Sequence, residues 1–317
     1  MGTAPQVTVV IPTHNRRRLL ERTLTSALAQ EDVTIEIVVV DDGSTDGTTT
    51  WVDGLGDQRI RVLRQDIPRG PAHARNAGLA IAHGAWVGFL DDDDVWAPDK
   101  LRRQLDAATR VGATYAYGAA VVFDAHDGVR QIVLAPDPAT VRRDIFARNL
   151  VPGGCSNVIV RTDVVRAVDG FDERLWTLAD WDLWIRVAQT GTGAACPEVI
   201  VGYRRHPDSM VVRGEINGIA ELNLLVAKYR EHPLASGVRP GTSATYRYFA
   251  RAHRRAGRYR HAARLYAVSA LHDRSPGDLL RALVALLGPI GHAADAQLRG
   301  RASIEPPAPP AWLVPYL

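Results

Sequence analysis

Thr34-Ile35-Glu36-Ile37-Val38-Val39-Val40-Asp41-Asp42-Gly43-Ser44-Thr45-Asp46 is the stretch on which the fold turns. Thr34 to Val40 is an almost unbroken β-branched run, the pattern of a strand buried on both faces, and it stops abruptly in two aspartates and a glycine. Upstream, Gln6 to Ile11 reads as another short strand, and Arg16 to Gln30 carries Leu20, Leu24, Ala27 and Leu28 at helical spacing. Strand, helix and buried strand in that order predict a βαβ unit with parallel strands.

Moving outward, the order repeats. Arg59 to Arg64 predicts a third strand, Ala72 to His83 a helix, Ala85 to Leu90 a fourth strand, and Pro98 to Val111 a helix opened by proline in its first turn. Beyond Thr114, Tyr115 to Phe123 and Val129 to Leu134 flank a turn around Asp127 and Gly128, which predicts a hairpin and a mixed sheet. Residues 137–149 read as helical, Ser156 to Arg161 as extended, and Asp182 to Gln189 as helical before Gly191 and Gly193. The expected fold class is α/β: a nucleotide-binding, Rossmann-like mixed sheet flanked by helices, with a C-terminal helical appendage. The expected boundaries are a main domain over 1–214, a helical region over 215–290 and a Pro-rich tail over 291–317. Within the appendage, Ile216 to Arg230 reads as an amphipathic helix and Thr245 to His272 as two helices hinged at Gly257. Pro306, Pro307, Pro309 and Pro310 suggest an extended end.

A chain of 317 residues with 46% hydrophobic content supplies the core such a domain needs. Cys155 and Cys196 lie far apart without C-x-x-C spacing, so neither a disulfide framework nor a zinc site is indicated, and a reducing cytoplasm fits. No basic leader and no apolar run near about eighteen residues occurs. The expectation is a cytoplasmic protein, with the inner membrane surface as an alternative. A net charge of +3 is too small to argue for nucleic acid. The basic character is local: between Glu231 and Asp273 there is no acid, whereas Arg239, Arg247, Arg251, Arg254, Arg255, Arg258, Arg260 and Arg264 fall there. These helices are candidates for acceptor contacts, a homodimer surface or peripheral contact with an anionic membrane.

Three clusters carry chemistry. Asp41 to Thr48 follows a parallel strand, where open α/β sheets bind nucleotides, although Asp, Gly, Ser and Thr equally make an ordinary turn. Asp91-Asp92-Asp93-Asp94 follows the fourth strand. Four adjacent carboxylates repel one another, and hard oxygens suit Mg²⁺ or Mn²⁺ on a diphosphate; the plainer reading is a solvated acidic loop capping the next helix. Thr177-Leu178-Ala179-Asp180-Trp181-Asp182-Leu183-Trp184 offers a carboxylate as general base and flat indoles for sugars. Equally, Thr177 with Asp180 matches a capping box, and Trp181, Trp184 and Val187 fit a core. Between these clusters, Arg75 can reach toward phosphate or serve a surface ion pair, and Gly78 lets its helix approach the sheet closely.

In chain order, Ile11-Pro12-Thr13-His14-Asn15, Val39-Val40-Asp41-Asp42-Gly43-Ser44, Arg75-Asn76-Ala77-Gly78, Phe89-Leu90-Asp91-Asp92-Asp93-Asp94, Gly170-Phe171-Asp172-Glu173 and Asp180-Trp181-Asp182-Leu183-Trp184 resemble the family 2 glycosyltransferases, the inverting group with the GT-A fold. The resemblance runs from Val7 to about Met210. It implies a metal-dependent, inverting transfer of sugar from a UDP- or dTDP-type donor to an acceptor hydroxyl or amine, on a small molecule, glycan or lipid-linked acceptor. It implies that Thr13 and Asp42 hold the base, with Pro12, Asn15, Asp41, Arg75, Asp91 and Asp92 around the nucleotide. Asp91 and Asp93 become the ends of a D-x-D element, Asp93 the direct ligand of Mg²⁺ or Mn²⁺, and His206 a neighbour of the diphosphate or metal. Asp180 becomes the general base, with Ala179 standing where the family often has Glu; Trp181, Cys155 and Ser156 fall on the acceptor side. No Gln-x-x-Arg-Trp stretch follows Asp180, which argues for non-processive transfer. The alternatives are a nucleotidyltransferase acting on a sugar phosphate, which usually needs a Gly- and Lys-rich loop that His14 to Arg18 lacks, and a non-catalytic module gripping an anionic surface.

Overall fold

The computed structural model describes residues 4–124, 128–206, 209, 218–232, 242–291 and 307–317. They divide into two compact units: Met1–Ile145 with Leu150–Arg205 and Pro307–Leu317, and Phe146–Asn149 with His206–Pro306.

In the first unit, the β-branched runs form the parallel half of the sheet. β1 (Val7–Thr13) is buried at every position, and β2 (Ile35–Asp42) lies parallel to it from Val7 opposite Ile35 to Thr13 opposite Asp41. The helix α1 (Arg17–Leu28) makes the crossover and turns Leu20, Leu24 and Ala27 into the core, as their spacing requires. β3 (Ile60–Gln65) adds parallel to β2, and β4 (Trp86–Phe89) parallel to β1, connected through α2 (Thr48–Asp53) and α3 (Pro71–Ala80). All four strands therefore deliver their carboxyl ends, and the loops that follow, to one edge of the sheet.

The other half is mixed, as the hairpin predicted. β5 (Val95–Trp96) and α4 (Lys100–Val111) lead into β6 (Tyr115–Asp124), which pairs antiparallel with β7 (Gly128–Val133) and β8 (Ile159–Arg161) and parallel with β9 (Gly193–Arg204). β8 also pairs antiparallel with β4, giving the order β3-β2-β1-β4-β8-β6-β9-β5. The helices α5 (Pro138–Asp144), α6 (Thr162–Ala167) and α7 (Ala179–Thr190) complete this unit.

Several expectations need correction. The helix after the aspartates begins at Lys100 behind Asp99, so Pro98 precedes it rather than opening its first turn. Val95 and Trp96 are drawn into the sheet against Gly202 and Val201, a pairing too short to leave a period in the sequence. Residues Gly154–Asn157 form a 3₁₀ turn instead of an extended segment, entered through Gly153 and Gly154, whose φ angles of 70° and 59° favour glycine. Asn157 pins that turn: its side chain accepts from Gly118 N at 2.7 Å and donates to Gly118 O at 2.7 Å. The tail is not simply extended, because Ala311–Tyr316 form a 3₁₀ turn of the first unit. Leu313 is buried among Val95, Val121 and Phe123, and Trp312 donates to Val199 O. The division between the two units falls after Arg205. Asp127, Arg213, Ile216, Arg239 and Pro306 lie outside the described residues.

The second unit contains α8 (Gly218–Tyr229), α9 (Thr242–Arg255), α10 (Tyr259–Asp273) and α11 (Pro276–Leu286). α9 and α10 break at Gly257, where φ is 71°, as predicted. Ala250, Ala262, Ala263, Tyr266, Ala282 and Ala285 fill the space between the last three helices.

Candidate functional site: an acidic edge held by two arginines

The edge where β1, β2 and β4 end gathers the predicted motifs. β2 delivers two aspartates, and a strand's alternation turns them in different directions. Asp41 is fully buried: Oδ1 accepts Ser44 N at 2.8 Å, while Oδ2 takes Arg64 at 3.1 Å and the Thr49 hydroxyl. Its oxygens are thus engaged in shaping their own loop. Asp42 grips the next loop, accepting Arg69 N at 2.9 Å and Gly70 N at 2.8 Å. A carboxylate retains lone pairs after two such bonds, so Asp42 can still accept from a base N–H.

The loop after β1 is laced to the loop after β2. Asn15, at φ 53°, donates its N–H to Ser44 Oγ at 2.8 Å and accepts Thr45 N at 2.7 Å through Oδ1, and the His14 ring meets Asp42 O at 2.6 Å. Pro12 is buried at the end of β1. The Thr13 hydroxyl donates to Asp92 at 2.8 Å, so its proton is committed within the protein.

The aspartate quartet divides by exposure. Asp92 and Asp94 turn inward, whereas the Asp91 side chain is 30% exposed and that of Asp93 14%. Arg16, which the sequence reading did not single out, bridges Asp92 and Asp93 at 3.0 Å each. Burial alone would lower the Arg16 pKa, and its two aspartates outweigh that and raise it. Burial pushes Asp92 up to about 6 against the pull of Arg16. Asp94, fully buried, is raised well above the usual carboxylate range by burial and by the charges of Asp93 and Asp91. It accepts the Ser156 hydroxyl at 2.6 Å and Arg204 N at 2.9 Å.

Arg75, on α3, is the second internal cation. Its guanidinium reaches Asp91 at 2.5 Å and lies 5.3 Å from the Phe171 ring centre. Burial would lower its pKa, but the carboxylates of Asp91 and Asp180 raise it. Its Nε is buried with no hydrogen-bond partner. The Arg75-Asn76-Ala77-Gly78 motif has two further jobs on its helix. Asn76 clasps Phe171 through both backbone groups at 2.8 and 2.9 Å, Gly170 adopts φ 61° beside it, and Gly78 faces Val10 so closely that a Cβ would sit 2.4 Å from Cγ1. The close approach predicted for Gly78 is thus found.

The first turn of α7 brings in Asp180. From Leu178 to Ile185 every side chain except Asp180 is buried. Asp180 accepts Trp181 N at 2.7 Å, and its Oδ2 lies 3.4 Å from where a Cβ on Gly154 would stand. No capping box forms, since the residue before the helix is Leu178 and makes no side-chain cap. The three residues expected on the acceptor side are all buried. Trp181 is buried and donates its indole N–H to Ile145 O at 2.6 Å, so it serves the core. Ser156 is fully buried and joins Asp91 N to the Asp94 carboxylate. Cys155 does lie within the electrostatic reach of Arg75, Asp91 and Asp180, but as a buried thiol whose pKa burial raises. The exposed indole is Trp176, packed over Gly70 beside the Asp42 loop; the sequence carries it shortly after Asp172-Glu173-Arg174. His206 belongs to the second unit. Among the described residues, no group of three or more His, Cys, Asp or Glu side chains is placed to hold a metal.

A mixed sheet with a parallel nucleotide half, an acidic loop after β4 and C-terminal helices define a GT-A glycosyltransferase architecture. The model of the family described as glycosyl transferase family 2 matches residues 8–168, and the chain belongs to that family. It is 27% identical over 234 residues to the UDP-Glc:alpha-D-GlcNAc-diphosphoundecaprenol beta-1,3-glucosyltransferase WfgD of Escherichia coli, covering 72% of this chain and 88% of the relative. It is 46% identical over 112 residues to the succinoglycan biosynthesis protein ExoO of Rhizobium meliloti, spanning 35% of this chain and 32% of that protein. Among solved structures, S. aureus TarS 1-349 with UDP-GlcNAc superimposes at TM-score 0.61 and 17% identity, over 88% of this chain and 90% of that one. The mannosyltransferase PcManGT of Pyrobaculum calidifontis, with GDP-Man and Mn2+, gives 0.55 and 23%, over 92% and 83%. The chain is therefore a nucleotide-sugar-dependent glycosyltransferase, which sets aside the nucleotidyltransferase and binding-module readings.

Proposed function

We propose that the chain carries out non-processive, inverting transfer of a sugar from a UDP- or dTDP-type donor to a hydroxyl or amine of a glycan, small-molecule or lipid-linked acceptor. The observation that carries this reading is the convergence of Asp91, Arg75 and Asp180, which come from three separate elements.

The residues fit a divalent cation. Asp91 and Asp93 present hard oxygens outward while Asp92 and Asp94 are engaged inside, and Mg²⁺ or Mn²⁺ commonly takes one or two carboxylates and completes its shell from phosphate and water. Bound there, the cation would stabilise the negative charge of the departing diphosphate. Asp93, with Asp91, is the proposed holder. Asp42, clasping the 69–70 loop, is placed to accept from the donor base. Arg16 and Arg75 fix the carboxylates through ion pairs. Asp180 is the proposed base that takes the acceptor proton, since it is the accessible polar group in its helical turn. Trp176 replaces Trp181 as the proposed sugar-facing indole.

The test is a panel of nucleotide sugars assayed for nucleoside diphosphate release and product anomeric configuration, with and without Mn²⁺. Inverted product that depends on metal and on Asp180 supports the proposal; a retained configuration, or full activity in Asp180→Asn, overturns it. The acceptor proposal draws on WfgD, whose name specifies a diphosphoundecaprenol-linked sugar.

A further inference from the structure

α11 is packed inside out. Its narrow inner face is alanine, with Ala282 and Ala285 buried against α9 and α10. Its large residues point the other way: Leu279, Leu280, Leu283 and Leu286 are more than half exposed, and Leu287 and Ile290 continue the row at 63% and 79%. At about 100° per residue the four positions within the helix, Leu279, Leu280, Leu283 and Leu286, fall within a stripe roughly 120° wide, away from the alanines, and Leu287 and Ile290 follow past its end at Leu286. A soluble surface seldom carries so continuous an aliphatic ridge without a partner.

The surrounding charge says what kind of partner fits. Residues 242–291 contain nine arginines and two acids, Asp273 and Asp278. Asp278 is buried and held by Arg247 at 2.8 Å and Arg281 at 2.7 Å, and Asp273 pairs with Arg247 at 3.2 Å. The acids are thus already used, while Arg251, Arg260, Arg264 and Arg274 are exposed. A second copy laid against this face would oppose arginine to arginine with no spare carboxylate, whereas a negatively charged lipid surface complements the leucine ridge and its cations together. None of the described helices is long and apolar enough to cross a membrane, and α11 has eleven residues, so it is read as lying in the interface.

We propose that the leucine face of α11, flanked by the arginines of α9 and α10, docks on an anionic lipid bilayer with the helix lying in the interface plane. The inference is independent of the transfer reaction and of the identity of donor and acceptor. It is tested by flotation of the full chain with vesicles of phosphatidylcholine containing about one third phosphatidylglycerol, against vesicles of phosphatidylcholine alone. The full chain is expected to float with the anionic vesicles and to be released by salt, since exposed charges are screened. Leu283→Glu with Leu287→Glu is expected to lower the partition at least about tenfold, because carboxylates on the buried face oppose both burial and the lipid charge. Arg251→Ser with Arg260→Ser, whose side chains bear on no core contact, is expected to weaken binding less and to flatten the salt dependence. Unchanged thermal melts in both variants show that the fold survives. The proposal is overturned if the chain does not float, if the leucine variant floats as the parent does, or if the leucine variant melts early, which would mean the ridge is covered by the chain itself. It is also overturned if sedimentation velocity shows a dimer that the leucine variant abolishes while neither protein floats.

Discussion

Gly78→Ala sets helix propensity against packing, and the two effects have opposite signs. In an open helix the substitution stabilises by about 1 kcal/mol, because alanine loses less backbone freedom. On α3 the new Cβ would stand 2.4 Å from Val10 Cγ1 and 3.1 Å from Val40 Cγ2, where ordinary contact begins at 3.4 Å. Restoring contact with Val10 therefore requires α3 to retreat by about 1 Å, since both neighbours are buried strand residues with no free rotamer to adopt. Overpacking of that kind costs about 1–3 kcal/mol, and the severity of this approach puts it at the upper end, for a net loss near 2 kcal/mol. The same retreat carries Arg75, one turn earlier, away from Asp91, and a displacement of about 1 Å at a reacting centre lowers turnover about a hundredfold. Urea unfolding and nucleoside diphosphate release measure the two consequences on one variant. A midpoint that rises, with turnover retained, would refute the close packing of α3 and the idea that it positions Arg75.

Other perturbations read the remaining parts. Asp180→Asn keeps an acceptor for Trp181 N, so the fold and donor affinity should persist while turnover drops about 10²- to 10⁴-fold, as measured by kcat and by donor titration calorimetry. Asp93→Asn should abolish the Mn²⁺-dependent part of the melting shift given by UDP, a shift worth about 2.7 kcal/mol at a hundred times Kd, while the unliganded melt stays put. In the second unit, burial would raise the Asp278 pKa, but Arg247, Ser269 and Arg281 hold it below the usual carboxylate range. A depressed carboxyl contributes stability that is present above its unfolded pKa and lost as pH falls through the folded one. Asp278→Asn should therefore cost about 1–2 kcal/mol at neutral pH, discounted because both arginines are partly exposed, and the gap should close below about pH 4. Equal destabilisation at both pH values would contradict this. Trp176→Ala should raise the KM for sugar substrate and leave stability within about 0.5 kcal/mol, a split that steady-state kinetics and thermal melts resolve together.

The elements of the parallel half were legible because buried β-branched strands and amphipathic helices write distinct periods, and their aspartates fall where strands must stop. The partners of those aspartates were not. Asp41 and Asp42 look alike in sequence, yet the alternation of β2 sends one into Arg64 and Thr49 and the other toward Arg69 and Gly70. Of Arg16, Arg17 and Arg18, which one turns toward the quartet depends on the left-handed turn at Asn15, which no periodicity records. Trp181 and Ser156 stayed ambiguous for a related reason: a motif fixes where a side chain starts, while its direction follows from long-range contacts with Ile145 and Asp94.

Those hidden partners change the electrostatic argument for a metal. Four adjacent carboxylates seem to demand an external cation only while they are counted as bare charges. Arg75 answers Asp91, Arg16 answers Asp92 and Asp93, and burial with its neighbours' charges favours the protonated form of Asp94. The protein thus balances much of the quartet without help, and charge excess cannot be what selects Mg²⁺ or Mn²⁺. What remains distinctive is geometry: two carboxylates face outward and two are held inside, so the outward pair is preorganised at little further cost when a diphosphate arrives. On that reasoning Arg16→Ala should loosen the pair rather than free it, weakening metal-dependent nucleotide binding although a competing positive charge has been removed. Tighter Mn²⁺-dependent UDP affinity in that variant would show that Arg16 competes with the metal instead of arranging its ligands.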